Sequence, residues 1–454
     1  MKKIRKSSYM NSVDIGDGRS LLFNGFSLCM DLVPKSYSEK LSKNDLSMLS
    51  PEEEDHLLKR GHLTLLSPKQ ELSAFRRQVR LILEKSAELD KNKTNGDLSF
   101  ILTYKCNLSC SYCYQKSLSS KSRNAVMSGE FVDNFFSNHF SQLFPKVPKN
   151  FSITLFGGEP LLPANREAIS RILAFTKEHP CRVLVATNTT TLPSMADLIG
   201  PENGKIQSVQ VTLDGDRFMH DKNRIPVSGQ PTFDATIAAI RQLIELKARV
   251  IVRVHIHQGN LESASKLVEY LEAEKLLGHP QVGLYFSPIN TFTSEQNTAE
   301  GLDIFCKTFQ KVAKKTNLPP SNMLYMNSFL EMQTKSILPK VRHCGMGSGK
   351  FYVVDPFGDL YHCYEEAGHK DRRIGSFSQG KLRFFRLRET YANRHLLNIP
   401  ECIRCSFALF CGGGCPSEAR RQKGSIFTSY CHQNKEFIAQ TLKAFLVRKE
   451  VKNI

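Results

Sequence analysis

Between residues 98 and 287, strand-length apolar runs and helix-length segments alternate through six repeats, and this alternation limits the fold more than any other feature of the chain. The runs are Leu98 to Thr103, Phe151 to Phe156, Arg182 to Thr187, Gln207 to Leu213, Val250 to His257 and Val282 to Ser287. Segments with helical spacing lie between them: Phe131 to Phe144, Asn165 to Thr176, Phe233 to Leu246 and Leu261 to Leu271. Strand–helix–strand repeats need crossover connections, which make neighbouring strands parallel. Six units are too few for a closed eight-stranded barrel. The expected class is therefore α/β, with an open (β/α)6 partial barrel spanning 97–290 and its chemistry at the carboxyl ends of the strands.

Two of the runs carry polar residues at every second position. In the fourth, Gln210, Thr212 and Asp214 share one face, and in the fifth Arg253, His255 and His257 do. A parallel strand covered on both sides is ordinarily apolar throughout, so these stripes point to a polar ligand in the lumen or to a structural hydrogen-bond network there.

The first run leads directly into Cys106-Asn107-Leu108-Ser109-Cys110-Ser111-Tyr112-Cys113. Three thiolates on one loop hold a metal centre while leaving a coordination position open, which is what a centre that acts on a bound molecule requires. A zinc knuckle short of one ligand, or a disulfide with a spare thiol, are the blander readings of the same residues. After the second run comes Gly157-Gly158-Glu159-Pro160. Two residues without side chains suit close backbone approach to a ligand, and a carboxylate suits an ammonium group.

The C-x3-C-x2-C spacing, with an aromatic before the last cysteine and the glycine loop one strand later, resembles the radical S-adenosylmethionine (SAM) enzymes. That resemblance implies a 4Fe-4S cluster on Cys106, Cys110 and Cys113, with SAM on its open iron. It further implies SAM contacts from Tyr112 through its backbone, from Gly157, Gly158 and Glu159, and from Thr212 and Asp214. Asn188, Arg224 and Arg253 are further candidates, although a helix cap and a surface salt bridge also explain the first two.

The chain has 13 cysteines, and seven of them fall between residues 344 and 431. Cys344 and Cys363 flank the turn Asp355-Pro356-Phe357-Gly358-Asp359, which predicts a hairpin; Cys402, Cys405, Cys411, Cys415 and Cys431 follow. This set resembles the SPASM extension of radical SAM maturases. The resemblance implies two auxiliary 4Fe-4S clusters, one on Cys402, Cys405, Cys411 and Cys431 and one on Cys344, Cys363 and Cys415, making three in all. A zinc ribbon would use four of the seven and strand the rest. Cys29, Cys181 and Cys306 stand apart and read as buried apolar fillers.

Residues 1–90 form the first expected domain, a winged-helix-like module that recognises an extended peptide by strand addition, with a structural cap as the rival reading. Its signs are the Asp17-Gly18 hairpin turn, the Ser50-Pro51-Glu52-Glu53 helix start ending at Gly61, and a return strand His62 to Leu66. Residues 291–340, with a helical run from Leu302 to Lys314, read as a bridge, and 341–454 as the cysteine-rich cluster-binding domain. Lys and Arg number 62 against 44 Asp and Glu, a formal charge of +18. That surplus suits solubility or an acidic partner. The basic start lacks an apolar core for a signal peptide, and no run is long enough to span a membrane, so a cytoplasmic chain with no membrane partner is expected.

By resemblance the chain is a peptide maturase: reductive cleavage of SAM gives a 5′-deoxyadenosyl radical, hydrogen is taken from a ribosomally made precursor peptide, and a thioether or carbon-carbon cross-link forms. An electron donor such as flavodoxin or ferredoxin is the implied redox partner. The alternative is an anaerobic sulfatase maturase forming formylglycine. Those enzymes place an aspartate after the second SPASM cysteine, where this chain has Tyr364 followed by Glu365 and Glu366. No catalytic base is identified, and those two glutamates are the candidates, although paired exposed carboxylates are more simply solvated. A zinc-binding adaptor for nucleic acid, using Arg420-Arg421-Gln422-Lys423, is the reading from another class, and it leaves the SAM-like loops unexplained.

Overall fold

The computed structural model describes residues 3–91, 95–256, 260–288, 339–377 and 380–431, with Lys435, Ile438 and Ala439. Their chain divides into two compact units: the described parts of Met1–Lys91, Tyr325–Cys344 and Asn393–Ile454 form one, and those of Asn92–Leu324 and Gly345–Ala392 the other.

In the first unit, β1 (Arg5–Lys6), β2 (Met10–Gly16), β3 (Arg19–Asn24) and β4 (Met30–Pro34) precede α1 (Lys35–Ser42) and α2 (Pro51–Lys59); β5 (Leu63–Thr64) and α3 (Pro68–Lys91) follow. The hairpin turn falls at Asp17-Gly18, where both residues take positive φ, 51° and 77°. A β2-β3-β4 antiparallel sheet results. Ser50 caps α2 in a full capping box with Glu53, with Pro51 at the first helical position. The return strand is shorter than His62 to Leu66 and pairs with β1 rather than with the hairpin. Its anchor is Asp31, which lies 2.8 Å from Arg60 Nε and 2.7 Å from His62 Nε2.

The same unit has a core drawn from both ends of the chain. Tyr9, Phe75, Val79 and Ile82 pack with Val341, Leu396, Ile399, Cys402, Ala408 and Leu409. Tyr9 stacks on Phe75 at 4.5 Å and donates its hydroxyl to the Ile403 carbonyl at 2.9 Å. Near-complete burial of such side chains contributes on the order of 2 kcal/mol each.

The second unit is built on six parallel strands: β6 (Asn95–Thr103), β7 (Asn150–Gly157), β8 (Arg182–Thr187), β9 (Ser208–Leu213), β10 (Arg249–Ile256) and β11 (Val282–Pro288), paired in sequence order. This is the expected (β/α)6 arrangement. The helix anticipated over 131–144 is broken at His139, whose φ of −124° ends Gly129–Asn138 before Phe140–Leu143 begins. The His139 ring stacks on Phe377 at 4.7 Å instead.

The sheet then continues. β12 (Phe351–Val354) pairs parallel to β6, and β13 (Asp359–Tyr361), β14 (Gly375–Ser376) and β15 (Arg383–Phe384) add antiparallel strands, giving ten. The expected hairpin around Asp355 to Asp359 is present, but it belongs to the barrel sheet. Asp355 is fully buried and accepts from Tyr104 Oη at 3.0 Å, two residues before Cys106. Within these units, 345–392 is joined to β6 by backbone pairing, and 393–431 to α3 by the shared apolar core. Most of 291–340, including Leu302 to Lys314 and Cys306, lies outside the described residues, as does His257. No described helix is long and apolar enough to cross a membrane.

Candidate active site

The cysteine loop leaves the carboxyl end of β6 and is pinned by backbone bonds to the segment 223–227, besides its own turn from Cys113 N to Cys110 O at 3.2 Å. Ser109 N donates to Ile225 O at 2.6 Å, Ser111 N to Asn223 O at 3.1 Å, and Val227 N to Asn107 O at 3.0 Å. Cys106, Cys110 and Cys113 are free, partly buried thiols. Burial pushes Cys106 up to about 12 and raises Cys110 as well, with neighbouring Glu159 adding to the first and Arg224 opposing the second.

The glycine loop after β7 meets this loop directly. Gly158 N donates to Thr103 O and Glu159 N to Lys105 O, both at 2.8 Å. A Cβ on Gly157 would stand 2.2 Å from Thr103 O, and one on Gly158 2.1 Å from Lys105 O. The close approach that requires glycine is thus to the chain's own backbone just ahead of Cys106. Glu159 also turns inward. It is 1% exposed, with Oε1 accepting from Thr187 Oγ1 at 2.7 Å and Leu161 N at 2.9 Å, and Oε2 from Asn188 N at 2.7 Å. Burial raises its carboxyl against these donors. Its carboxylate ties the β7 and β8 loops together rather than standing free for an ammonium group.

Asn188, buried after β8, reaches the cysteine loop itself. Its Nδ2 donates to Asn107 Oδ1 at 2.8 Å and lies 3.7 Å from Cys106 Sγ, while its Oδ1 accepts from Thr190 N at 3.0 Å. Across the mouth, β9 and β10 present the polar stripe. Tyr112 Oη donates to Asp214 Oδ2 at 2.5 Å and accepts from Arg224 Nη1 at 3.0 Å. His255 Nδ1 lies 3.1 Å from Asp214 Oδ1, with its ring edge-on to Tyr112 at 5.1 Å. Burial drives the Asp214 carboxyl upward, but His255, Arg224 and Tyr112 outweigh it and hold the group below the ordinary carboxylate range. Burial keeps His255 below its ordinary value, helped by Arg253.

Arg224 is 8% exposed, so it is no surface salt bridge, and Tyr112 enters the site through its hydroxyl as well as its loop. Arg253 donates to Ser287 Oγ at 3.0 Å and keeps a buried, unpartnered Nε. Thr212 sits in register with Arg253, and Gln210 accepts from Tyr285 Oη at 2.9 Å. A row of cations, amides and one carboxylate beside three thiols can seat a zwitterionic molecule against a metal centre.

The segment after Cys363 departs from the sequence expectation. Glu366 is fully buried and accepts from Tyr391 Oη, while Glu365 is partly buried and acts on half-buried Tyr114 beside Cys113 and Cys363; they are not a solvated pair. Tyr364 bonds Ser99 Oγ at 2.7 Å and packs on Phe156 at 4.4 Å. Burial raises its phenol to about 12. Nothing in the spacing singled out Tyr364 as lumen-facing; the polar positions Ser99 and Thr154 on β6 and β7 were the available signal.

Cys344 and Cys431 are exposed, Cys402 is buried, and Cys405, Cys411 and Cys415 lie between. Cys363 belongs to the barrel unit, the other six to the first unit. Cys29 and Cys181 are partly exposed rather than core fillers. Among the described residues, no group of three or more His, Cys, Asp or Glu stands placed to hold a metal ion. The basic run at 420–423 lies at the end of helix Pro416–Lys423, where Arg421 pairs with buried Glu418 at 2.5 Å.

Comparison with known proteins adds the following. Residues 100–271 match the Radical SAM superfamily. The cysteine-type anaerobic sulfatase-maturating enzyme of Clostridium perfringens is 23% identical over 348 residues, covering 73% of this chain and 92% of that protein. The radical SAM cyclopropyl synthase TigE of Paramaledivibacter caminithermalis is 21% identical over 347 residues, covering 72% and 69%. Among solved structures, native anSMEcpe with bound AdoMet superposes with a TM-score of 0.61 at 18% identity, over 78% of this chain and all of that one. Streptococcus suis SuiB bound to precursor peptide SuiA superposes at 0.52 and 13%, over 94% and 98%.

Proposed function

From the premise that residues 100–271 form a radical SAM domain and that the chain is an enzyme, we infer a maturase that cross-links a ribosomally made peptide. The carrying observation is the meeting, at the carboxyl ends of β6 to β10, of the Cys106-Cys110-Cys113 loop with the Arg224-Tyr112-Asp214-His255 network.

Three thiols and an adjacent row of cations fit a 4Fe-4S cluster with SAM on its open iron, a pair that supplies a carbon radical able to take hydrogen from an unactivated C–H bond. The chain's own residues do the rest. Asn188 and the Gly157-Gly158 contact fix the height of the cysteine loop. Arg224 and the unpartnered Nε of Arg253 suit a ligand carboxylate, and Asp214, with Thr212 beside it, suits hydroxyl or ammonium groups. Cys402, Cys405, Cys411 and Cys431, and Cys344, Cys363 and Cys415, are assigned to two auxiliary clusters that accept the second electron of the oxidation, with flavodoxin or ferredoxin as the outside donor. The exposed edge of β2 is assigned to the peptide.

Formylglycine formation is the second reading, favoured by the likeness to the Clostridium perfringens sulfatase-maturating enzyme. Against it stands Tyr364, whose hydroxyl is bonded to Ser99 where an aspartate base is wanted.

The test is anaerobic incubation with SAM, a strong reductant and a cysteine-containing precursor peptide, read by mass analysis. Loss of two hydrogens with sulfur retained supports cross-linking, and loss of sulfur to an aldehyde supports the second reading. The Cys106, Cys110 and Cys113 to alanine variant should release no 5′-deoxyadenosine while retaining auxiliary iron; continued cleavage would refute the site.

A further inference from the structure

Arg394 is a buried cation of the first unit that neither the SAM site nor the peptide module uses. It is 3% exposed. Its Nε donates to the Ile426 carbonyl at 2.5 Å and its Nη2 to the Gly413 carbonyl at 3.0 Å. Both acceptors are neutral, and among the described residues no carboxylate pairs with it. A guanidinium removed from water without a counter-charge is one of the costliest things a fold can hold, and arginine does not escape by losing its proton.

The groups around it explain the arrangement. The thiols of Cys344, Cys415, Cys402 and Cys411 act on Arg394, and His343, bonded to the Cys411 carbonyl at 3.0 Å, is a further ionisable neighbour. Gly413 lies between Cys411 and Cys415 and holds φ at +94°; a Cβ there would come within 2.6 Å of Ile399 Cδ1 and 3.6 Å of Arg394 Nη1. The backbone N–H groups of Gly413 and Gly414 point at Cys411. One turn thus presents thiols and carries the carbonyl that aims the guanidinium toward them. A cysteine-bound iron-sulfur centre is anionic, and such a charge here would supply a counter-ion.

We propose that Arg394 is the counter-ion and potential-setting residue of the auxiliary metal centre that takes Cys402 and Cys411, the one whose four cysteines all lie in this unit. This rests on the reading that these cysteines hold iron-sulfur clusters. The charge favours the reduced, more negative state of the centre, so it raises the reduction potential; it also makes the loaded fold more stable than the empty one.

The experiment uses the full chain in the Cys106, Cys110 and Cys113 to alanine background, so that the iron present is auxiliary. Arg394→Met and Arg394→Lys are compared with this parent by iron content, redox titration followed by electron paramagnetic resonance, and thermal unfolding before and after chelation. With iron unchanged, Met should lower a midpoint potential and Lys should lower it less. Met should also lower the melting temperature of loaded protein and raise that of the chelated protein. Equal midpoints in the parent and a fully loaded variant, the Lys form alone sufficing if the Met form does not fold, overturn the proposal while leaving the cluster reading intact. A parent that binds no iron overturns both.

Discussion

Replacing Tyr112 with phenylalanine removes one oxygen and keeps the ring that packs edge-on against His255. The oxygen bonds two ionised groups, donating to Asp214 at 2.5 Å and accepting from Arg224 at 3.0 Å. A hydrogen bond to a charged partner is worth about 1.5–3 kcal/mol, and a buried ion left without its bond keeps the desolvation cost. Asp214 retains His255, but Arg224 has no other described side-chain partner, so the loss should lie near the full value of one such bond plus part of the second, about 3 kcal/mol. The control is Tyr285→Phe, which removes a hydroxyl bonded only to neutral Gln210 and should cost about 1 kcal/mol. Scanning calorimetry of the two variants should show Tyr112→Phe melting lower by about 6–12 °C and Tyr285→Phe by about 2–4 °C. Equal shifts would refute the assignment of Tyr112 as the bridge between two buried charges.

Two further outcomes follow from geometry already described. Gly158→Ala places a methyl 2.1 Å from Lys105 O and must displace the backbone ahead of Cys106; denaturant titration should show a loss of about 3 kcal/mol. Burial acts to raise Asp31, but its bonds to His62 and Arg60 hold it at about 2. A depressed carboxyl contributes stability above its unfolded value of about 3.9, and that contribution, about 2 kcal/mol, fades as pH falls toward the folded value. Asp31→Asn should flatten the stability curve of the first unit between pH 5 and pH 2; an unchanged slope would refute the role of this carboxylate.

The barrel was legible because its signals are local. The run Arg182 to Thr187 coincides with β8, where Val183 and Val185 alternate with half-buried neighbours, and β6, β7, β9, β10 and β11 differ from their runs by a few residues at most. Cysteine spacing likewise placed the candidate metal loop without structural help. What escaped was set by contacts distant in sequence. Glu159 looked like a ligand group until Thr187 and Asn188 claimed its oxygens. Glu366 looked solvated until Tyr391 covered it, and Arg394 had no motif to mark it, because its acceptors lie 19 and 32 positions away. The division into units was hidden for the same reason: β12 finds β6 across some 250 residues, a pairing that no periodicity announces.

The core that joins Tyr9 and Phe75 to Leu396, Ile399 and Leu409 has a consequence for synthesis. A ribosome adds roughly 5–20 residues per second, so the amino-terminal segment waits on the order of tens of seconds for the residues that complete its packing. The barrel strands β6 to β11 emerge meanwhile and can pair in order. This earlier-made segment is therefore among the last to be finished, and during that interval its apolar faces are exposed to chaperones and proteases. Substitutions at Tyr9 or Phe75 should accordingly reduce the yield of protein in cells by more than their effect on the finished fold.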